Sequence, residues 1–283
     1  MIFYIVIAAH NEEDYIERTL ESLINQTLLP KKIVVVNDNS TDKTVDITKT
    51  YTASYPFISL VNTASSSRHL PGKKIINAFY EGYHTLDDHY DVICKFDADL
   101  IFPENYLEQL AHHFNNNLRL GMASGFCYIK KKEDWILENL TRKDHIRGAI
   151  KAYRKACFLD IGKLKPAMGW DTVDELLAKF HNWHILTDNT LHVKHLKPTG
   201  TTYNKASKHL QGQAMYSMRY GFIITFISAV KLALKKKNIR FLLDYLTGFI
   251  KAKYKKCPYI VSKEEGVFIR KIRWKGITGY LRL

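Results

Sequence analysis

Apolar runs that end in polar or acidic residues set the strongest limit on what this chain can become. FYIVIAA (3–9) runs into HNEE, KKIVVVND (31–38) into NS, and YDVICKFDAD (90–99) ends in two aspartates one residue apart; ISLVNT (58–63) is a further strand candidate. Between them lie stretches of helical period. Tyr15, Ile16, Thr19, Leu20, Leu23 and Ile24 follow Asn11, which reads as an N-cap, and STDKTVDITKTY offers Ser40 or Thr41 as a cap. GKKIINAFYEGYHTL (72–86) and PENYLEQLAHHF, starting on Pro103, complete the alternation, and GMASGFCYI adds another strand. Uninterrupted apolar strands alternating with helices predict an α/β fold, an open and mostly parallel sheet flanked by helices. Ligands of such sheets bind outside the carboxyl ends of the strands. Asn37-Asp38 and Asp97-Ala98-Asp99 are therefore expected to face one crevice.

The four cysteines (Cys94, Cys127, Cys157, Cys257) are scattered, with no C-x-x-C pair. That pattern speaks against a disulfide framework or a zinc site, and for a reducing compartment. MIFYIVIAA (1–9) falls short of the ~20 apolar residues a membrane span needs, so it reads as the first buried strand. Neither G-x-G-x-x-G nor G-x-x-x-x-G-K occurs, which disfavours a dinucleotide dehydrogenase or a P-loop ATPase.

In D-x-D at a strand end, residue period 2 puts both carboxylates on one side. They repel unless a cation lies between them, and hard divalent ions such as Mg²⁺ and Mn²⁺ take oxygen ligands completed by water and phosphates. The pair therefore reads either as a metal–diphosphate clamp or as caps of the next helix.

VIAAHNEEDYIERTLESLINQT, KIVVVNDNSTDKT, PGKKIINAFYEGY and DVICKFDADLIFPENYLEQL, in that order, resemble the family-2 glycosyltransferases of GT-A (Rossmann-like) fold. GWDTVDE, HLKPTG and the tail resemble the bacterial branch that builds surface polysaccharides and glycolipids. The chain departs from the family in having Ala8 for proline, His10 for tyrosine and Asn37 for the first of two aspartates. The resemblance implies that Ala8, His10 and Glu12 line the nucleotide pocket. Asp38 would accept from a base N–H, which suits a UDP- or dTDP-type donor, and Lys73 would lie near the nucleotide. Asp97 would border the ribose and the metal's water shell, Asp99 would ligate Mn²⁺ or Mg²⁺, and His195 would be a further ligand. For the base that deprotonates the acceptor hydroxyl it offers Asp174 first, with Glu175 and Asp171 close behind. The reaction implied is metal-dependent, inverting transfer from a nucleotide sugar to a glycan or lipid-linked acceptor. A non-catalytic nucleotide-sugar- or membrane-binding relative and a sugar-1-phosphate nucleotidyltransferase are the alternatives.

The formal charge of +14 is unevenly placed. Residues 231–283 hold 15 Lys and Arg against Asp244, Glu264 and Glu265, a surplus of 12, which leaves about +2 for residues 1–230. Residues 1–204 are read as the GT-A domain, with 1–130 as its nucleotide-sugar half and 131–204 as its acceptor half. Residues 205–283 are read as a basic, aromatic-rich helical region. Tyr216, Phe222, Phe226, Phe241, Tyr245, Phe249 and Tyr254 interleave with its lysines. Amphipathic helices on an anionic membrane surface are expected, peripheral on the inner, cytoplasmic face of the cell membrane. No nucleic-acid-binding motif is visible.

Overall fold

A computed structural model describes residues 1–64, 72–138, 145–197 and 209–280. The apolar runs become β1 (Phe3–Ala9), β2 (Lys32–Asp38), β3 (Ile58–Thr63) and β4 (Val92–Asp97). These four pair in parallel in the order β3-β2-β1-β4, and α1 (Ile16–Ile24), α2 (Thr44–Ser54) and α3 (Lys73–Tyr83) connect them. β1, β2 and β4 are buried along most of their length because helices cover both faces, which explains their uninterrupted apolar runs, whereas β3 at the sheet edge is buried only at Ile58.

Past β4 the sheet continues through β8 (Ile150–Arg154), β6 (Leu120–Lys131), β9 (His184–His195) and β5 (Leu100–Ile101), with β7 (Asp134–Leu137) beside β6. β8 is antiparallel to both β4 and β6, and β6 and β9 are parallel with register shifts. α4 (Tyr106–Asn116) precedes β6, while α5 (Lys155–Asp160) and α6 (Trp170–Phe180) precede β9. The boundary expected at 204/205 lies outside the described residues.

Four helices follow: α7 (Leu210–Ser217), α8 (Phe222–Lys235), α9 (Arg240–Tyr254) and α10 (Lys263–Tyr280). They share one core with the sheet: Trp170, Val173 and Leu177 of α6 pack in the same cluster as Met215, Ile224, Phe249 and Ile269. α7 and α9 cross where both carry glycine. A Cβ on Gly212 would sit 1.9 Å from the Tyr245 carbonyl oxygen, and one on Gly248 2.0 Å from that of His209. Only glycine allows this approach. Among the described residues, no helix is long and apolar enough to cross a membrane.

Candidate active site

Two loops at the carboxyl ends of β1 and β2 are joined through their own polar side chains. Asn11 and Asn39 adopt left-handed backbone, with φ of 55° and 58°, a conformation asparagine tolerates better than most residues. The Asn11 amide donates to Ser40 Oγ at 3.0 Å, the Thr41 amide to Asn11 Oδ1 at 2.8 Å, and the Glu12 amide to Thr44 Oγ1 at 2.8 Å. Asn11 is thus a loop tether and not the N-cap of α1, which begins at Ile16. Asn37 donates to Asn62 Oδ1 at 2.9 Å and accepts from the Ser40 amide at 3.0 Å. An aspartate could accept there but not donate, so the amide suits this pairing.

His10 Nδ1 lies 2.6 Å from the Asp38 carbonyl oxygen, so the two expected nucleotide contacts share one corner. The Asp38 carboxylate lies 3.5 Å from Lys74 Nζ. The neighbouring Lys73 instead lines a cavity of about 240 Å³ between the start of α3, residues 166–168 and α7. Of the two adjacent lysines, Lys74 is the one beside Asp38.

Ala8 stands in register with Asp97 of β4, next to the D-x-D. Asp97 pairs with Lys95, two residues earlier on the same face, and Lys95 Nζ also donates to the Gly148 carbonyl at 3.1 Å. Asp99 is buried, with Oδ2 3.3 Å from His195 Nε2. The antiparallel β5–β9 pairing, Leu100 opposite His195, brings them together. His195 Nδ1 meets Glu138 Oε2 at 2.9 Å, and Arg147 holds that same oxygen at 3.1 Å. Glu12 Oε1 takes Lys197 at 3.1 Å, while its Oε2 is buried without a hydrogen-bond partner. Burial raises the Glu12 pKa first; Lys197 opposes the rise, and the charges of Asp99 and Asp97 add to it.

Each ring nitrogen of His195 faces a carboxylate, Glu138 at Nδ1 and Asp99 at Nε2. Cys127, Glu138 and His195 have ligand atoms within 4.8 Å of one another. Burial pushes the Cys127 thiol up to about 12, so it is protonated at neutral pH, and Glu138 is already engaged by Arg147. On the Nε2 side the donors are carboxylate oxygens and one imidazole, with the orphaned Glu12 oxygen among the acids. That set fits Mn²⁺ or Mg²⁺, with Asp99, Asp97 and His195 as the groups that would hold it.

The three candidate bases part company in α6. Asp174 is 2% exposed. Its oxygens take Lys151 Nζ at 2.9 and 2.7 Å and the Tyr153 hydroxyl at 2.6 Å. Burial works to lower the Lys151 pKa, but the charges of Asp174, Glu175 and Asp171 raise it above the ordinary lysine value. Glu175 is also buried, accepting from the Ile146 amide at 2.8 Å and lying 2.9 Å from His145 Nδ1. Asp171 is the most exposed of the three, 37%, with His145 Nε2 4.0 Å from its Oδ2. A Cβ on Gly148 would stand 3.5 Å from Asp171 Oδ2, and the Gly148 carbonyl is the one that Lys95 holds. Asp171 therefore lies on the Asp97 side of α6. Asp174, the first choice on sequence, is thus buried and held by Lys151 and Tyr153. Lys95, Glu138, Arg147 and Lys151 escaped the sequence reading because buried charges carry no periodic signal; their pairing across the sheet was the clue only geometry could supply.

The model of the family described as "Glycosyl transferase family 2" matches residues 4–160, more than half of the chain. A probable glycosyltransferase of Bacillus subtilis, YdaM, is 40% identical over 98 residues, 34% of this chain and 22% of its own length. The poly-beta-1,6-N-acetyl-D-glucosamine synthase of Staphylococcus epidermidis is 24% identical over 188 residues, 59% of this chain and 41% of its own. The chain thus spans well under two thirds of these curated relatives. Among solved structures, S. aureus TarS 1–349 in complex with UDP-GlcNAc superposes with a TM-score of 0.57 at 18% identity, covering 89% of this chain and 73% of that one. The mannosyltransferase PcManGT of Pyrobaculum calidifontis, in complex with GDP-Man and Mn2+, gives 0.54 at 12% identity, covering 97% and 80%. These likenesses show the fold, and the family match supplies the identity: this chain belongs to glycosyltransferase family 2, with a GT-A-type α/β sheet.

Proposed function

We propose that this protein transfers a sugar from a nucleoside diphosphate sugar to a hydroxyl of a glycan or lipid-linked acceptor, with inversion, in cell-surface polysaccharide or glycolipid synthesis. The observation that carries the reading is the layout of acids around one crevice. Glu12, Asp97 and Asp99 gather with His195 on the donor side. Asp171 stands open across Gly148 while Asp174 and Glu175 are tied down. His10 and Asp38 form the base-recognising corner, and the Asp38 carboxylate suits the N–H edge of uracil or thymine. The neighbours solved with UDP-GlcNAc, and with GDP-Man and Mn2+, support the donor class and the metal.

When bound, a divalent ion supplies positive charge to the diphosphate as it departs. The rest falls to the chain. Lys74 and Lys197 put cations at the crevice rim. Asp171 Oδ takes the proton of the acceptor hydroxyl as its oxygen attacks the anomeric carbon, and the carbon–oxygen bond to the diphosphate breaks on the opposite side. Lys151, held between Asp174 and the Asp171 carbonyl at 2.6 Å, fixes the start of α6 and so aims Asp171.

We also place the protein at the cytoplasmic face of a membrane, on the basic surplus of residues 231–283 and the exposed Phe222, Ile223, Phe226, Ile250 and Tyr254. The test is release of nucleoside diphosphate from a panel of UDP-, dTDP- and GDP-sugars with Mn²⁺ or Mg²⁺. The wild type releases product with at least one donor, and Asp99→Ala loses at least about a hundredfold of that rate. Release unchanged by Asp99→Ala overturns the reading.

A further inference from the structure

Outside the family-matched residues, α7, α8, α9, α10 and the turns between them line a second, open pocket of about 260 Å³. Its wall carries three cations, Arg219, Lys253 and Arg270, from three different parts of the helical region. Aromatic rings make up most of the remainder: Tyr216 stacks on Tyr259 at 4.8 Å, and Phe222 meets Phe249 edge-on at 5.9 Å. The Arg219 guanidinium lies 3.5 Å over the Tyr259 ring while its Nε donates to the Val261 carbonyl at 3.0 Å. Arg270 donates to the Arg219 carbonyl at 2.8 Å. Both guanidiniums are thus held in place by neutral groups. Among the described residues no acid stands within ion-pair distance of any of the three cations; Glu264, fully exposed, acts on Arg219 only through space.

We propose that this cavity binds the terminal phosphate of an anionic lipid. Three converging cations with no acid partner ask for an anion of high charge density, and two fixed guanidiniums match phosphate oxygens in geometry as well as charge. The cavity opens at the start of α8, where Gly221 and Phe222 line it and no side chain caps the helix. The free amides there add to the same field. The lipid source follows from the mouth. Phe222 is 50% exposed and Ile223 62%, on the first turn of α8, and Ile250 on α9 is 55% exposed. A soluble phosphate would leave these side chains in water, whereas acyl chains would cover them. The proposal rests on the membrane-docking reading above and sharpens it from a diffuse charge attraction to a built headgroup site.

The test is flotation of the full chain with phosphatidylcholine vesicles carrying either phosphatidic acid or phosphatidylglycerol at matched surface charge. The wild type prefers phosphatidic acid. Lys253→Gln with Arg270→Gln weakens binding to phosphatidic acid about thirtyfold and erases the preference. Lys235→Gln with Lys236→Gln removes the same charge elsewhere and keeps the preference. Lys253→Gln alone, at an exposed position, gives the same direction should the double variant melt early. If both pairs lose equally and the wild type does not discriminate between the lipids, charge attraction is diffuse and the pocket assignment falls while membrane docking stands. If no vesicle binds, the docking reading falls with it. Inorganic phosphate that stabilises the wild type but not the pocket variant, with no lipid preference, makes the ligand soluble and overturns the lipid source.

Discussion

Lys95 and Lys151 stand directly opposite one another across the antiparallel β4–β8 pair, 1% and 0% exposed. Like charges facing each other across a ladder are destabilising, and burial adds a desolvation cost. The fold answers with Trp170, whose ring lies 5.3 Å from one ammonium and 5.6 Å from the other, and with an acid at each end. Lys95 takes Asp97 and Lys151 takes Asp174. Asp97 at the end of β4 and the start of α6 are thereby fixed to one another through two ion pairs of buried lysines and one indole.

Breaking that arrangement costs stability before it costs chemistry. Lys151→Met leaves the Asp174 carboxylate buried without its cation, an expected loss of about 3–5 kcal/mol in chemical denaturation. Adding Asp174→Leu removes the stranded charge and restores most of the loss. A Lys151→Met midpoint equal to wild type would show that the pair does not hold the sheet to α6.

Asp171 and Asp174 separate by what each variant damages. Asp171→Asn retains the wild-type melting temperature and loses about 10²–10⁴ in kcat, the range a positioned base contributes. Asp174→Asn melts lower, because both of its oxygens and the Lys151 ammonium lose their match. The reverse pattern, with stable but dead Asp174→Asn and active Asp171→Asn, would return the base to Asp174.

Glu138 is a positioning residue for His195. With Arg147 on one side and His195 Nδ1 on the other, its carboxylate fixes the ring so that Nε2 points at Asp99. On the proposed assignment of His195 as a metal ligand, Glu138→Gln lowers Mn²⁺ affinity about 10–100-fold by calorimetric titration of the donor-free protein, the usual effect of losing a ligand's outer hydrogen bond. Unchanged affinity would mean that His195 is oriented by other contacts.

Tyr80 gives an alkaline signature. Its hydroxyl donates to the Leu164 carbonyl at 2.6 Å, bracing the segment that leads into α6. Burial raises its pKa to about 12. The folded state therefore binds this proton more tightly than the unfolded state. The stabilisation is complete below the ordinary value of 10.0 and is lost as pH climbs from there to about 12. Tyr80→Phe costs about 1 kcal/mol at neutral pH and flattens the fall of melting temperature between pH 10 and 12. A slope identical to wild type would assign the alkaline loss to other groups.

Local pattern determined much of this protein. Apolar runs at 3–9, 31–38 and 90–99 became β1, β2 and β4 nearly to the residue, since a strand buried on both faces reads as a short continuous apolar run, and 58–63 became β3 at the sheet edge. The D-x-D, Asp38 and His10 came together because strand ends in a parallel sheet converge by topology alone. Tertiary structure decided which acid is free and which cation belongs to which site. Asp171, Asp174 and Glu175 lie within five residues and look alike in sequence; Lys151 from β8 and His145 from the preceding segment engage the buried Asp174 and Glu175, while Asp171, 4.0 Å from His145 Nε2, keeps a 37% exposed side chain. Lys73 and Lys74 are adjacent for the same reason of local indistinguishability, and helix phase sends one to a cavity and the other to Asp38. The tail's basic charge was legible as composition. The convergence of Arg219, Lys253 and Arg270 on one cavity required three helices to fold over each other, with Gly212 and Gly248 at the crossing. Composition fixes how much charge a chain carries, but the range of an ionic contact is a few ångströms, so long-range packing alone chooses the partners.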